Sequence, residues 1–168
     1  MTVIALVAVT LYFMTGLHFG FVRSIYRFSA SNFFKYILPL SVTIIAVEII
    51  RGVLLAEKGR LVAVFTYLSC FVAELLMHFN VSSIRTFHQF MDAVGLTFLP
   101  AIAANLLYCY LVRRYGVLPN IFYRLICTLY PFVFTALPNT PDILYSFARI
   151  MIPILVWFFI SLLYEKQK

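Results

Sequence analysis

The sequence predicts an all-α membrane protein, a polytopic helical bundle of about six transmembrane spans forming one domain over residues 1–168. Three observations carry this expectation. Hydrophobic residues make up 64% of the chain and charged ones only 11%, with a mean hydropathy of +0.99, where a soluble domain holds about 25% charged and about half apolar residues. Such a chain cannot hide its side chains in one water-bounded core, so lipid has to cover much of it. The apolar residues also fall into runs near the roughly 20 residues that a helix needs to cross the hydrocarbon core. Finally, basic residues such as Arg23, Arg27, Lys35, Arg113, Arg114, Lys166 and Lys168 stand at the ends of those runs, where they encode topology and meet anionic headgroups.

Residues 2–22 hold no formal charge. The run is too long for a signal-peptide core and has neither a basic leader nor a small-residue cleavage site, so it reads as a retained span. Residues 23–35 mix Arg23, Arg27 and Lys35 with aromatics, which suits an interfacial connector whose basic side chains reach the headgroups. The second span, about 36–55, carries Glu48 and Arg51, and residues 56–60 turn around Gly59. The third, about 61–79, holds Glu74 and His78, and the polar residues 80–92 read as the longest connection.

The fourth span, about 93–112, is expected to kink at Pro100, where a backbone donor is missing. Its small residues Ala101, Ala103 and Ala104 suit close helix approach. The fifth, about 119–137, opens on Pro119, which is favoured in a first helical turn. Residues 138–142 then form a short turn into the sixth span, about 143–164, which contains Arg149 and Pro153.

With the N-terminus inside, the inner side collects Arg51, Lys58, Arg60, Arg113, Arg114, Lys166 and Lys168, and the outer side Arg23, Arg27, Lys35 and Arg85. That balance favours both termini on the cytoplasmic side of a plasma membrane. The formal charge of +7 does not point to nucleic acid, because the basic residues form no continuous footprint. Cys70, Cys109 and Cys127 lie far apart with no CxxC or zinc spacing. They read as small buried hydrophobes, which disfavours a thiol oxidoreductase.

The candidate site residues are the polar groups inside or between spans: Glu48, Arg51, Glu74, His78, Asn105, Asn120, Arg124, Asn139, Asp142 and Arg149. Glu48 and Arg51 are three apart and Glu74 and His78 four apart, so each pair shares a helix face. Such pairs could serve a proton relay, a metal site or ion-coupled transport, or simply satisfy one another near the membrane interface. Arg124 and Arg149 sit deeper, and Glu48, Glu74 and Asp92 are the carboxylates available upstream. An interhelical salt bridge and the binding of an anionic headgroup or substrate carboxylate are both open to them.

No HExxH motif, GxSxG motif or facing aspartate pair occurs, so neither a metal nor another cofactor is expected and no catalytic residue can be assigned.

The segment Thr97-Phe98-Leu99-Pro100-Ala101-Ile102-Ala103-Ala104-Asn105-Leu106-Leu107-Tyr108 is followed by Tyr115-Gly116-Val117-Leu118-Pro119-Asn120-Ile121-Phe122-Tyr123-Arg124-Leu125 and then Pro138-Asn139-Thr140-Pro141-Asp142. Together these resemble the membrane-embedded region of Gram-positive, clostridial-type signal peptidase I-like proteins. The resemblance covers most of residues 36–165 and is strongest from about 93 onward. It implies a multi-span region set before a last span and an extracellular peptidase domain with a serine nucleophile and a Lys or His base. This chain stops at Lys168, where that domain would begin, so it is expected to be such a membrane region without its peptidase. On that resemblance it would anchor or orient a serine peptidase at the outer surface and help present membrane-inserted substrate helices. The residues alone leave two other readings open. One is a small transporter or substrate-binding transport subunit with a midplane site at Glu48, Glu74 and Arg124. The other is an enzyme of lipid-linked substrates using Glu74 and His78.

Overall fold

The computed structural model describes residues 1–24, 29–57, 59–78 and 86–165, apart from the side chains of His78 and residues 163–165. Arg27, Lys58, Arg85, Lys166, Lys168 and the first part of the expected 80–92 connection lie outside the described residues. Among the described residues the chain forms six helices and one antiparallel ribbon. Helix α1 (Thr2–Phe19) leads into strand β1 (Phe21–Arg23), followed by α2 (Ala30–Ala56), α3 (Arg60–His78), α4 (Phe87–Tyr115) and α5 (Val117–Val133). Strand β2 (Ala136–Pro138) and α6 (Asp142–Glu165) complete the fold.

Five of these helices are long and apolar enough to cross a membrane. The other, α5, has 17 residues, at the short end of the roughly 17–25 that span a bilayer. Within the five long spans only 17–33% of the apolar window is buried, so most side chains point outward, as they do when lipid is the solvent. The fold is an all-α polytopic bundle.

Two helices begin earlier than the sequence pattern suggests. The Ser29 hydroxyl accepts from the Asn32 amide at 3.2 Å, which caps α2 at Ala30 inside the expected interfacial connector. Thr86 and Gln89 form a reciprocal capping box, which starts α4 at Phe87 inside the expected long connection. These polar residues satisfy first-turn N–H groups, so their polarity marks a helix start.

Both extended helices contain one π turn, Phe33–Ile37 in α2 and Val94–Phe98 in α4, each just before a proline, Pro39 and Pro100. A proline ring clashes with the carbonyl four residues back, and the wider π turn relieves the clash. In α4 the Leu99 amide bonds to Val94 O, and Pro100 has no N–H to offer the next carbonyl, Gly95 O. The Ser146 hydroxyl of α6 donates to that carbonyl instead.

The first and fifth expected spans are shortened by the ribbon. Helix α1 stops at Phe19 and α5 at Val133, and Phe21, Val22 and Arg23 pair with Pro138, Leu137 and Ala136. The Ser24 amide bonds to Thr135 O at 2.8 Å, and the Asn139 amide to Gly20 O at 3.0 Å. The ribbon therefore ties the ends of α1 and α5 together at one end of the bundle. At the other end a single residue, Gly116 with φ +88, joins α4 to α5, a left-handed backbone that favours glycine.

Helix α5 packs against α1, α2 and α4, while α4 also touches α3 and α6. The apolar core is built from Ala5 and Ala8 of α1, Leu107, Tyr108 and Leu111 of α4, Tyr123 of α5, and Val156 and Ile160 of α6. Gly52 lets α2 approach the start of α5, since a Cβ there would run into Val117 Cγ2.

Candidate functional site

Three helices bring five of the sequence-selected residues to one buried place. Glu48 and Arg51 come from α2, Glu74 from α3, and Asn120 and Arg124 from α5. The sequence puts Glu48, Arg51 and Glu74 toward span ends, but Glu48 and Arg51 are wholly buried and Glu74 is 7% exposed. Arg51 accordingly cannot serve as one of the exposed inner-face charges of the topology count. Among those charges, Arg60, Arg113 and Arg114 are exposed, as are Arg23 and Lys35 of the expected outer set.

Arg124 is the hub. Its Nη1 donates to Glu48 Oε1 at 2.6 Å and its Nη2 donates to Glu74 Oε2. Asn120, one turn earlier on the same face of α5, donates from Nδ2 to Glu48 Oε2 at 2.5 Å. Arg51 Nε lies 3.5 Å from that same oxygen. Helix α4 supplies Tyr108, whose ring centre is 5.0 Å from the Arg124 guanidinium carbon and 5.2 Å from that of Arg51. Two arginines thus face two glutamates around one aromatic ring, a formally neutral set, which a low-dielectric interior requires of buried charge.

Local sequence explains the convergence. Glu48 and Arg51 are an i,i+3 pair, and Asn120 and Arg124 an i,i+4 pair, so each helix presents both groups on one stripe. Pro119 falls in the first turn of α5, where no intrahelical donor is needed. The cluster is not fully satisfied, because the Nε, Nη1 and Nη2 atoms of Arg51 make no hydrogen bond.

The remaining selected residues lie elsewhere. Asn105 is buried one turn before Tyr108 and donates from Nδ2 to Tyr67 O of α3 at 2.9 Å, joining α4 to α3. Asn139 and Asp142 are exposed, the first in the link after the ribbon and the second in the first turn of α6. Arg149 stands with its guanidinium carbon 5.5 Å from the Tyr145 ring centre. Asp92, an upstream carboxylate for the deep arginines on sequence grounds, instead lies 3.6 Å from His88 on the exposed start of α4. The His78 side chain, and with it the expected Glu74–His78 pair, lies outside the described residues.

Sequence reasoning missed Tyr108 as a site residue. Its signal was present, three positions after Asn105 and so on the same face of α4.

Beside the cluster lies a cavity of about 640 Å³ with walls from all six helices. Glu74 and Tyr108 line it, so it adjoins the ion cluster directly. Pro39, Pro100, Pro131 and Pro153 all line it as well. Among the described residues no three His, Cys, Asp or Glu side chains converge as metal ligands.

Fold and site together define the class, a polytopic helical membrane protein with a buried charge cluster beside a cavity of the bundle. No protein-family model matches the chain, and no curated protein or solved structure matches it either.

Proposed function

We propose that this chain is a membrane-embedded ligand-binding protein of the small-transporter or transport-subunit kind, with its ligand held in the cavity that Glu74 lines. One observation carries the reading: the prolines of four different helices, together with the carboxylate that Arg124 holds, all meet at one cavity. Proline within a membrane helix leaves a backbone carbonyl without its N–H partner, and such groups are tolerated where they border protein or a cavity. The volume of about 640 Å³ falls in the range of about 300–1,000 Å³ usual for ligand sites.

Cys127 lines the cavity and offers a native reporter. In a Cys70→Ser, Cys109→Ser background in membranes, Cys127 should react with N-ethylmaleimide. Filling the cavity wall by Ala148→Trp should slow that reaction strongly. An unreactive Cys127, or equal rates in the two proteins, would remove this reading.

A second reading keeps the resemblance to signal peptidase I-like membrane regions. It is favoured by the fact that Asn120 and Arg124 belong to the 115–125 stretch that carries the resemblance and also form the bonds to Glu48. In that case the bundle, in a bacterial plasma membrane with both termini cytoplasmic, orients a serine peptidase at the outer surface. A serine peptidase domain encoded in the same or an adjacent reading frame supports this reading, and a gene neighbourhood without one counts against it.

A further inference from the structure

The cavity carries unequal charge. Its charged lining residues are Lys35, Glu74 and Arg149, and the Glu74 carboxylate is already bonded to Arg124. Lys35 Nζ lies 5.3 Å from the Tyr36 ring centre, and Arg149 rests against Tyr145. Among the described residues neither cation has a carboxylate partner. Arg149 is half-buried on a membrane-crossing helix, where an unpaired guanidinium is costly unless something anionic meets it. Tyr12, Tyr123 and Tyr130 add hydroxyl-bearing rings to the wall, while Val9, Leu40 and Ile152 make apolar stretches of it.

Arg124 has both terminal nitrogens committed to glutamates, and Arg51, though buried, is not part of the cavity wall, which leaves Arg149. We infer that the cavity takes an amphiphile with an anionic head, a carboxylate or phosphate, which Arg149 and Lys35 meet while its chain lies along the apolar wall. The inference rests on the ligand-binding reading of the cavity and adds the chemical class of the ligand. A guanidinium suits either head, since its planar fork matches carboxylate and phosphate oxygens alike.

The test uses the full chain in a neutral maltoside detergent, with fluorescent parinaric acid and its methyl ester as probes. The acid should bind about tenfold or more tighter than the ester, since each factor of ten is one charge-assisted contact of ordinary strength. Arg149→Gln with Lys35→Gln should erase that preference and keep ester binding, which also shows that the variant is folded. Dodecyl phosphate should displace the acid, and inorganic phosphate at the same concentration should not. Equal binding of acid and ester to the wild type, a preference that survives in the double variant, or displacement by inorganic phosphate alone would each overturn the inference. Failure of both acid and ester to bind would instead remove the cavity as a ligand site, and the inference with it.

Discussion

Arg124 Nη1 lies 2.6 Å from Glu48 Oε1, and this bond joins two helices whose partners are 76 residues apart in sequence. Because the other terminal nitrogen of the same guanidinium is bonded to Glu74, one side chain fastens α2 and α3 to α5. Such a bond is strong in a low dielectric and leaves expensive orphans when broken.

Arg124→Gln should therefore destabilise the bundle by about 3–5 kcal/mol, the cost of leaving buried charge without its partner. Arg51→Gln should cost less, about 2 kcal/mol, because Arg51 makes no hydrogen bond and loses only a 3.5 Å charge contact with Glu48 and its contact with the Tyr108 ring, while Arg124 still holds Glu48. Denaturant unfolding in micelles, followed by far-UV circular dichroism, ranks the two. Equal losses would contradict the assignment of Arg124 as the hub.

Gly52 and Val117 form a second separable contact. Gly52→Ala places a methyl group against Val117 Cγ2, and overpacking of this kind costs about 1–3 kcal/mol. Adding Val117→Ala should recover most of the loss. If it recovers nothing, the cost of Gly52→Ala does not come from the α2–α5 contact. Unfolding midpoints of the two single variants and the double variant decide it.

The link between α4 and α6 at the π turn allows a similar check. Ser146→Ala removes the hydroxyl that donates to Gly95 O and should cost about 1 kcal/mol. With Pro100→Ala the helix regains an N–H in this turn, so the same serine substitution should then cost measurably less. Thermal unfolding of the four proteins in this cycle gives the comparison, and an unchanged cost would show that the proline does not create the orphan carbonyl.

Much of this architecture was legible in the sequence, for specific reasons. Lipid demands long apolar runs, so the existence of six helices followed from hydropathy alone. Their ends did not, because Ser29 and the Thr86–Gln89 box look like loop polarity until the capping bonds are seen. The ribbon was hidden for a different reason. Phe21, Val22 and Leu137 continue apolar runs without a break, and strand pairing between distant segments leaves no local signal. At the site, Glu48, Glu74 and Arg124 stood out because charge in an apolar run is rare. Which of them meet depends on helix rotation and depth, and that is why Arg149 looked like a peer of Arg124. A polar site within the bundle was open on sequence grounds at Glu48, Glu74 and Arg124, but of these only Glu74 lines the cavity. Its four prolines are scattered from 39 to 153, and only packing brings them together.

The most direct test of the central bridge is a double-mutant cycle on Arg124→Gln and Glu74→Gln, read as unfolding free energy in micelles. A shared buried bond requires the double variant to be less destabilised than the sum of the single variants, by about 2 kcal/mol or more. Losses that add to within about 0.5 kcal/mol would show that the two residues act independently. The Arg124–Glu74 bridge at the wall of the cavity would then be contradicted.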